Sequence, residues 1–152
     1  MPGPLTPDER ERFLAEPHIA VVSVAADPDR DPGRPPLAVP IWYHYAPGGE
    51  VSFFTATQGR PARKTGLVRR AGALTITVQK HDPPWKYVSV ECRVVGDDQP
   101  PTREQMLRIV ERYLPPDAAA GMVDAELAHP ASRLVVFTAR PTRWVSFDFA
   151  EG

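Results

Sequence analysis

Three cations stand together where a helix is expected to begin: Arg60, Arg63 and Lys64. They follow an apolar run at residues 51–57, a tight Gln58-Gly59 corner, and Pro61, whose missing N–H suits the first helical position. Gly72 is placed to end the same helix. The first turn of a helix favours Asp and Glu, because the macrodipole is positive there. Cations in that turn work against the dipole by about 0.3–1 kcal/mol each. An anion bound at the terminus reverses the sign and also satisfies the free N–H groups. Phosphate suits the set, with Arg63 as a forked donor and Lys64 as a point charge. The alternative is a solvated basic helix end.

The other reactive side chains suggest no second chemistry. His18, His44, His81 and His129 lack metal-type spacing, and His44 alternates with aromatic neighbours as a structural strand residue would. Cys92 sits among valines and reads as a small buried hydrophobe. Ser132 has no nucleophile elbow around it. Neither a Gly-x-Gly-x-x-Gly fingerprint nor a P-loop is present. The net charge of −1 gives no broad basic field, which argues against nucleic acid as the partner of the arginines. A single cysteine excludes an internal disulfide, no apolar run approaches a membrane span, and the N-terminus lacks a signal pattern; a cytoplasmic protein is expected.

The chain's 152 residues suit one domain, and 42% hydrophobic residues are enough for a core. Thr6-Pro7-Asp8-Glu9 is a capping box that opens a short helix to about Glu16. Strands are expected at residues 18–26, 37–45, 51–57, 73–80, 87–95, 133–138 and 142–149, the last two separated by Arg140-Pro141. Thr102-Arg103-Glu104-Gln105 opens an amphipathic helix through Tyr113, and a weaker helix spans residues 116–128. Sequential strands with tight turns favour an antiparallel barrel over βαβ units. The expected fold is mainly β with inserted helices, a six- to seven-stranded antiparallel split β-barrel.

The order of these motifs resembles the pyridoxamine 5′-phosphate oxidase-like, flavin-binding split barrels over roughly residues 8–148. Val39-Pro40-Ile41-Trp42-Tyr43 before the Pro47-Gly48-Gly49 turn is similar to the family's Pro-x-Trp-Tyr strand. Phe53-Phe54-Thr55-Ala56-Thr57 followed by Arg63-Lys64 resembles its phosphate-binding segment, and Pro141-Thr142-Arg143-Trp144 its closing strand. The resemblance implies a homodimer with FMN at the subunit interface. Arg63 and Lys64, with Arg60 beside them, would hold the phosphate. Thr55, Ala56 and Thr57 would lie along the phosphate and ribityl chain, and Val39, Pro40, Ile41 and Trp42 would border the ring. Gln79 and Lys80 would approach the flavin from the next strand, and the second subunit would contribute from Trp85 and the Trp144 region.

The chain also departs from that family. Cys92 stands where many relatives have Gly, Ala71-Gly72-Ala73 replaces Asp-Pro-Arg, and the Arg-x-His substrate motif is missing near Asp148. Vitamin-precursor oxidation is therefore not expected. The implied function is a flavin-dependent oxidoreductase that passes hydride through the flavin N5 to a small conjugated acceptor, with Lys80 as a cation near the ring's pyrimidine end. The alternatives are an 8-hydroxy-5-deazaflavin coenzyme on the same anchor, or a non-catalytic flavin- or haem-binding protein.

Overall fold

The computed structural model describes residues 1–151. Seven strands form one antiparallel sheet in the order β2-β1-β5-β6-β7-β4-β3. These are β1 (Ala20–Val24), β2 (Leu37–Ile41), β3 (Tyr43–His44), β4 (Val51–Thr55), β5 (Ala73–Gln79), β6 (Lys86–Asp98) and β7 (Val135–Asp148). The helices are α1 (Pro7–Ala15), α2 (Arg63–Ala71), α3 (Arg103–Val110) and α4 (Pro116–Ala128). The two edge strands, β2 and β3, are separated in the chain by Trp42 alone. The sheet must therefore curl until its edges meet at that residue, which makes it a split β-barrel.

Alternation fills the barrel. Val22, Ile76, Val88, Val90, Phe53 and Phe137 point inward and are buried, with Leu14 of α1 closing one end. Leu74, Ile76 and Val78 lie on the buried face of β5, as the sequence pattern predicts. A second apolar layer covers the outside of β4 and β7. There Met106, Ile109 and Val110 of α3 and Ala119 and Val123 of α4 meet Leu134 and Val136. Both expected capping boxes are present: Thr6 accepts from the Glu9 N–H at 3.2 Å, and Thr102 accepts from the Gln105 N–H at 3.1 Å.

The strand count of seven is reached by a different division. The second expected strand breaks at Trp42, where the Tyr43 N–H turns to the Tyr113 hydroxyl at 3.3 Å. The two strands expected after residue 133 are one. Pro141 is accommodated because β6 shifts register between Glu91 and Cys92, so the missing N–H falls at a bulge. Strand β6 runs on to Asp98, where a linker was expected. Helix α2 begins at Arg63 with Ala62 as its N-cap, so Pro61 lies outside it. Gly72 ends it in the left-handed conformation, φ 64°.

Candidate cofactor site

The barrel's split is also where a cleft of about 310 Å³ opens. Pro40, Ile41 and Trp42 leave one sheet edge along one wall. Phe54, Thr55, Ala56 and Thr57 form the opposite wall, and Arg60, Pro61, Ala62 and Lys64 close the end. Trp42 is held by its neighbour in the helical layer: its ring stacks on Tyr113 at 4.9 Å, with 8° between the planes. The Tyr113 hydroxyl donates to the His18 carbonyl at 2.7 Å, which fixes that platform to the start of β1. Thr55 is 1% exposed, and its hydroxyl lies 2.7 Å from that of Thr65 in the first turn of α2.

The backbone between β4 and α2 is strained. Ala56 has φ 65° and Gln58 φ 54°, and these are the only non-glycine residues with positive φ among the described residues. Gly59 follows at φ 69°. Each left-handed non-glycine residue costs roughly 1–2 kcal/mol. Strain of this kind persists where the surroundings over-determine it, and it concentrates at ligand sites.

Arg63 and Lys64 occupy the first two positions of α2, about 100° apart around the axis at 3.6 residues per turn. They consequently face different neighbours. Lys64 lines the cleft. Burial holds its ammonium below the usual lysine range, and no carboxylate offsets this. Arg63 turns to the loop after β1, where its Nε donates to Asp31 at 3.2 Å. Its Nη2 is buried and finds no acceptor among the described residues. Two helical turns on, Arg70 pairs with Asp27 at 3.2 Å, so the same loop is tied to α2 twice. Arg60 is exposed at the rim.

One chain thus brings Pro40, Ile41, Trp42, Thr55, Ala56, Thr57, Arg60 and Lys64 around a single cleft. Val39 packs against the main core. Gln79 ends β5 and Lys80 follows it, its N–H donating to the Lys86 carbonyl at 2.9 Å, and Trp85 is half exposed in the following loop. Trp144 leans on the core with its ring centroid 6.2 Å from Tyr45, under the Arg10 guanidinium at 4.8 Å. Val39, Arg63, Gln79, Lys80, Trp85 and Trp144 do not line the cleft in one chain. Sequence reasoning missed Asp31, Tyr113 and Glu126. Glu126 is 8% exposed, and its carboxylate accepts from the Gln58 N–H at 2.8 Å. Its spacing from Ala119 and Val123, four then three residues, places a carboxylate on the apolar face of α4, a signal visible in the sequence.

From the cleft a row of residues crosses the outer face of the sheet: Pro40, Val21, Thr77, Ser89 and Val145 are successive cross-strand partners. Val21 and Val145 in this row are 38% and 52% exposed. Ile19, Trp85 and Phe149 are exposed large apolar residues as well. By contrast Tyr43 and Tyr45 are buried inside their own chain, so the aromatic cluster at residues 42–45 is not the exposed apolar surface. Cys92 is buried, and burial pushes its thiol up to about 12. Among the described residues, no helix is long and apolar enough to cross a membrane.

No protein-family model and no curated protein matches the chain by sequence. Solved structures do resemble it. An F420 reductase aligns over 89% of this chain and 94% of its own, with a TM-score of 0.64 and 22% identity. A FAD-binding protein from Mesorhizobium loti aligns over 99% and 98%, with a TM-score of 0.65 and 19% identity. A pyridoxamine 5′-phosphate oxidase-type protein from Listeria innocua aligns over 92% and 96%, with a TM-score of 0.62 and 13% identity. The chain therefore has the split-barrel fold found in pyridoxamine 5′-phosphate oxidase-like flavin and deazaflavin proteins.

Proposed function

We propose that this protein binds FMN at the barrel's split and acts as a cytoplasmic, homodimeric flavin-dependent oxidoreductase. One observation carries the reading: Lys64 is desolvated at the start of α2, faces the cleft, and has no carboxylate to neutralise it. A phosphate there would relieve both the lysine and the unfilled N–H groups of the first turn. The buried, unpartnered Nη2 of Arg63 fits a nearby anion in the same sense. Thr55 and Thr57 supply hydroxyls for a polyol chain, and Pro40 to Trp42 offer an edge for a flat ring.

At about 310 Å³ the cleft of one chain is at the lower end of ligand sites, about 300–1,000 Å³. A ring extending from it would lie along the exposed Pro40–Val21–Thr77 row, and a second copy placed on that face would cover it. Trp85 is exposed and available to such a partner site, and Gln79 ends β5 with Lys80 just beyond it. When bound, the flavin supplies the hydride-carrying centre. The residues of this chain bind the phosphate, orient the ring and exclude water, and they leave room for a small conjugated acceptor such as a quinone. A second reading, an 8-hydroxy-5-deazaflavin coenzyme on the same anchor, is favoured by the likeness to an F420 reductase.

The absorption spectrum of the purified protein discriminates these readings. FMN gives two near-visible bands and a deazaflavin one main band. Bound flavin, reduced without oxygen, is expected to reoxidise faster with at least one quinone or conjugated carbonyl acceptor than free FMN does. No acceleration with any acceptor would leave only a cofactor carrier.

A further inference from the structure

Helix α4 reaches the turn beside the cleft through its last turns. The Glu126 carboxylate accepts from the Gln58 N–H at 2.8 Å, and Gln58 is one of the two strained residues of the cleft loop. The next residue is clamped sterically. A Cβ at Gly59 would stand 2.7 Å from the His129 Cε1 and 3.1 Å from the Ala131 carbonyl oxygen. His129 is itself fixed, since its Nδ1 accepts from the Ala131 N–H at 3.1 Å. A buried carboxylate is costly and is kept where it satisfies a specific donor. Glu126 satisfies a backbone donor that a left-handed residue would otherwise leave unmade.

We propose that Glu126 is a positioning residue of the cofactor cleft: by holding Gln58 left-handed against α4, it keeps the Ala56–Arg60 turn shaped to receive the phosphate end of the ligand. This rests on the cofactor reading above. The second, helical layer of the fold then has a role beyond covering the sheet. The end of α4 meets the Ala56–Arg60 turn through one hydrogen bond and one glycine contact, separately from the Trp42–Tyr113 stack. Glu126 itself does not line the cleft and touches no reacting atom.

The test compares Glu126→Ala, Glu126→Gln and Val123→Ala with the wild type. Val123 is fully buried in the same helix but has no contact with the turn through a hydrogen bond, so its truncation reports loss of packing alone. Two readouts are taken well below each unfolding midpoint: FMN affinity by titration, and amide hydrogen exchange at Gln58 in the cofactor-free protein. Glu126→Ala is expected to weaken FMN about 10-fold or more and to speed Gln58 exchange by a similar factor. Glu126→Gln, which keeps an acceptor oxygen, is expected to restore most of both, and Val123→Ala to lower the melting temperature with little change in either. Equal weakening by Val123→Ala, or unchanged affinity in Glu126→Ala, overturns the inference. If the wild type binds no FMN, the cofactor reading fails, and Gln58 exchange then decides the clamp: unchanged exchange in Glu126→Ala overturns it.

Discussion

Lys64 costs stability in exchange for the anion contact proposed for it. Its ammonium is held below the usual lysine range by burial. The unfolded chain therefore binds more protons than the folded one across the alkaline window below about 10.4, and stability rises with pH there. Lys64→Met is expected to raise the melting temperature of the cofactor-free protein, by about 2–4 °C per kcal/mol gained in a chain of this size. It should flatten the alkaline part of the stability profile and weaken FMN at the same time. Thermal unfolding at pH 7 and pH 9, with and without FMN, reads all three. A melting temperature that falls would mean that the lysine is already neutralised in the fold. Arg63→Ala should weaken FMN by less than loss of Lys64 does, because Asp31 already holds its Nε and only its unpartnered Nη2 is left for a nearby anion. At this scale the sequence showed the cations, because charge opposed to a helix dipole is a local signal. It could not show that Asp31, 32 residues away, holds Arg63 while Lys64 faces the cleft. That division depends on where the loop after β1 folds back.

Elements were legible where their cause was local. Both capping boxes, the αL end of α2 at Gly72 and the extent of α4 follow from a few adjacent residues. The break at Trp42 and the continuity of β7 were not legible, because each depends on a distant strand or side chain: the Tyr113 hydroxyl in one case, the register shift against β6 at Pro141 in the other. The junction of α1 and β1 carries its own prediction. The His18 Nε2 lies 2.9 Å from the Phe13 carbonyl, and burial holds the ring below the usual histidine range. His44 is depressed as well, by burial first and then by the charges of Arg112 and Arg108. A depressed histidine is neutral in the fold and protonates more readily when unfolded. Stability is thus complete above pH ~6.5 and is lost as the pH falls through that value toward the folded one. The carboxylates with shifted values, such as Glu11 and Asp97, are lowered and act only at more acid pH. Urea unfolding midpoints should therefore fall between pH 7.5 and pH 5.5, and by less in His18→Phe. A flat wild-type profile would contradict this.

At the scale of the whole molecule the barrel is complete inside and unfinished outside. The exposed row through Val21 and Val145 is continuous with the cleft, and it is the face on which a second copy is proposed. Light scattering at micromolar concentration should give twice the 16.8 kDa of one chain. Val145→Arg should shift that mass toward the monomer without unfolding the protein, because the residue is 52% exposed. A wild-type mass of one chain would remove the shared site. The barrel was readable from strand order and turn spacing, but the surface proposed to complete the site was not, since nothing in the sequence separates an exposed apolar strand face from a buried one. The central claim is that the split of the barrel holds a phosphate-bearing flavin through Lys64. It is tested most directly by titrating FMN into the wild type and Lys64→Ala and following quenching of flavin fluorescence. Saturable binding at one FMN per chain, weakened roughly 10- to 100-fold by the substitution, is the predicted result. No binding, or equal binding by both proteins, would contradict it.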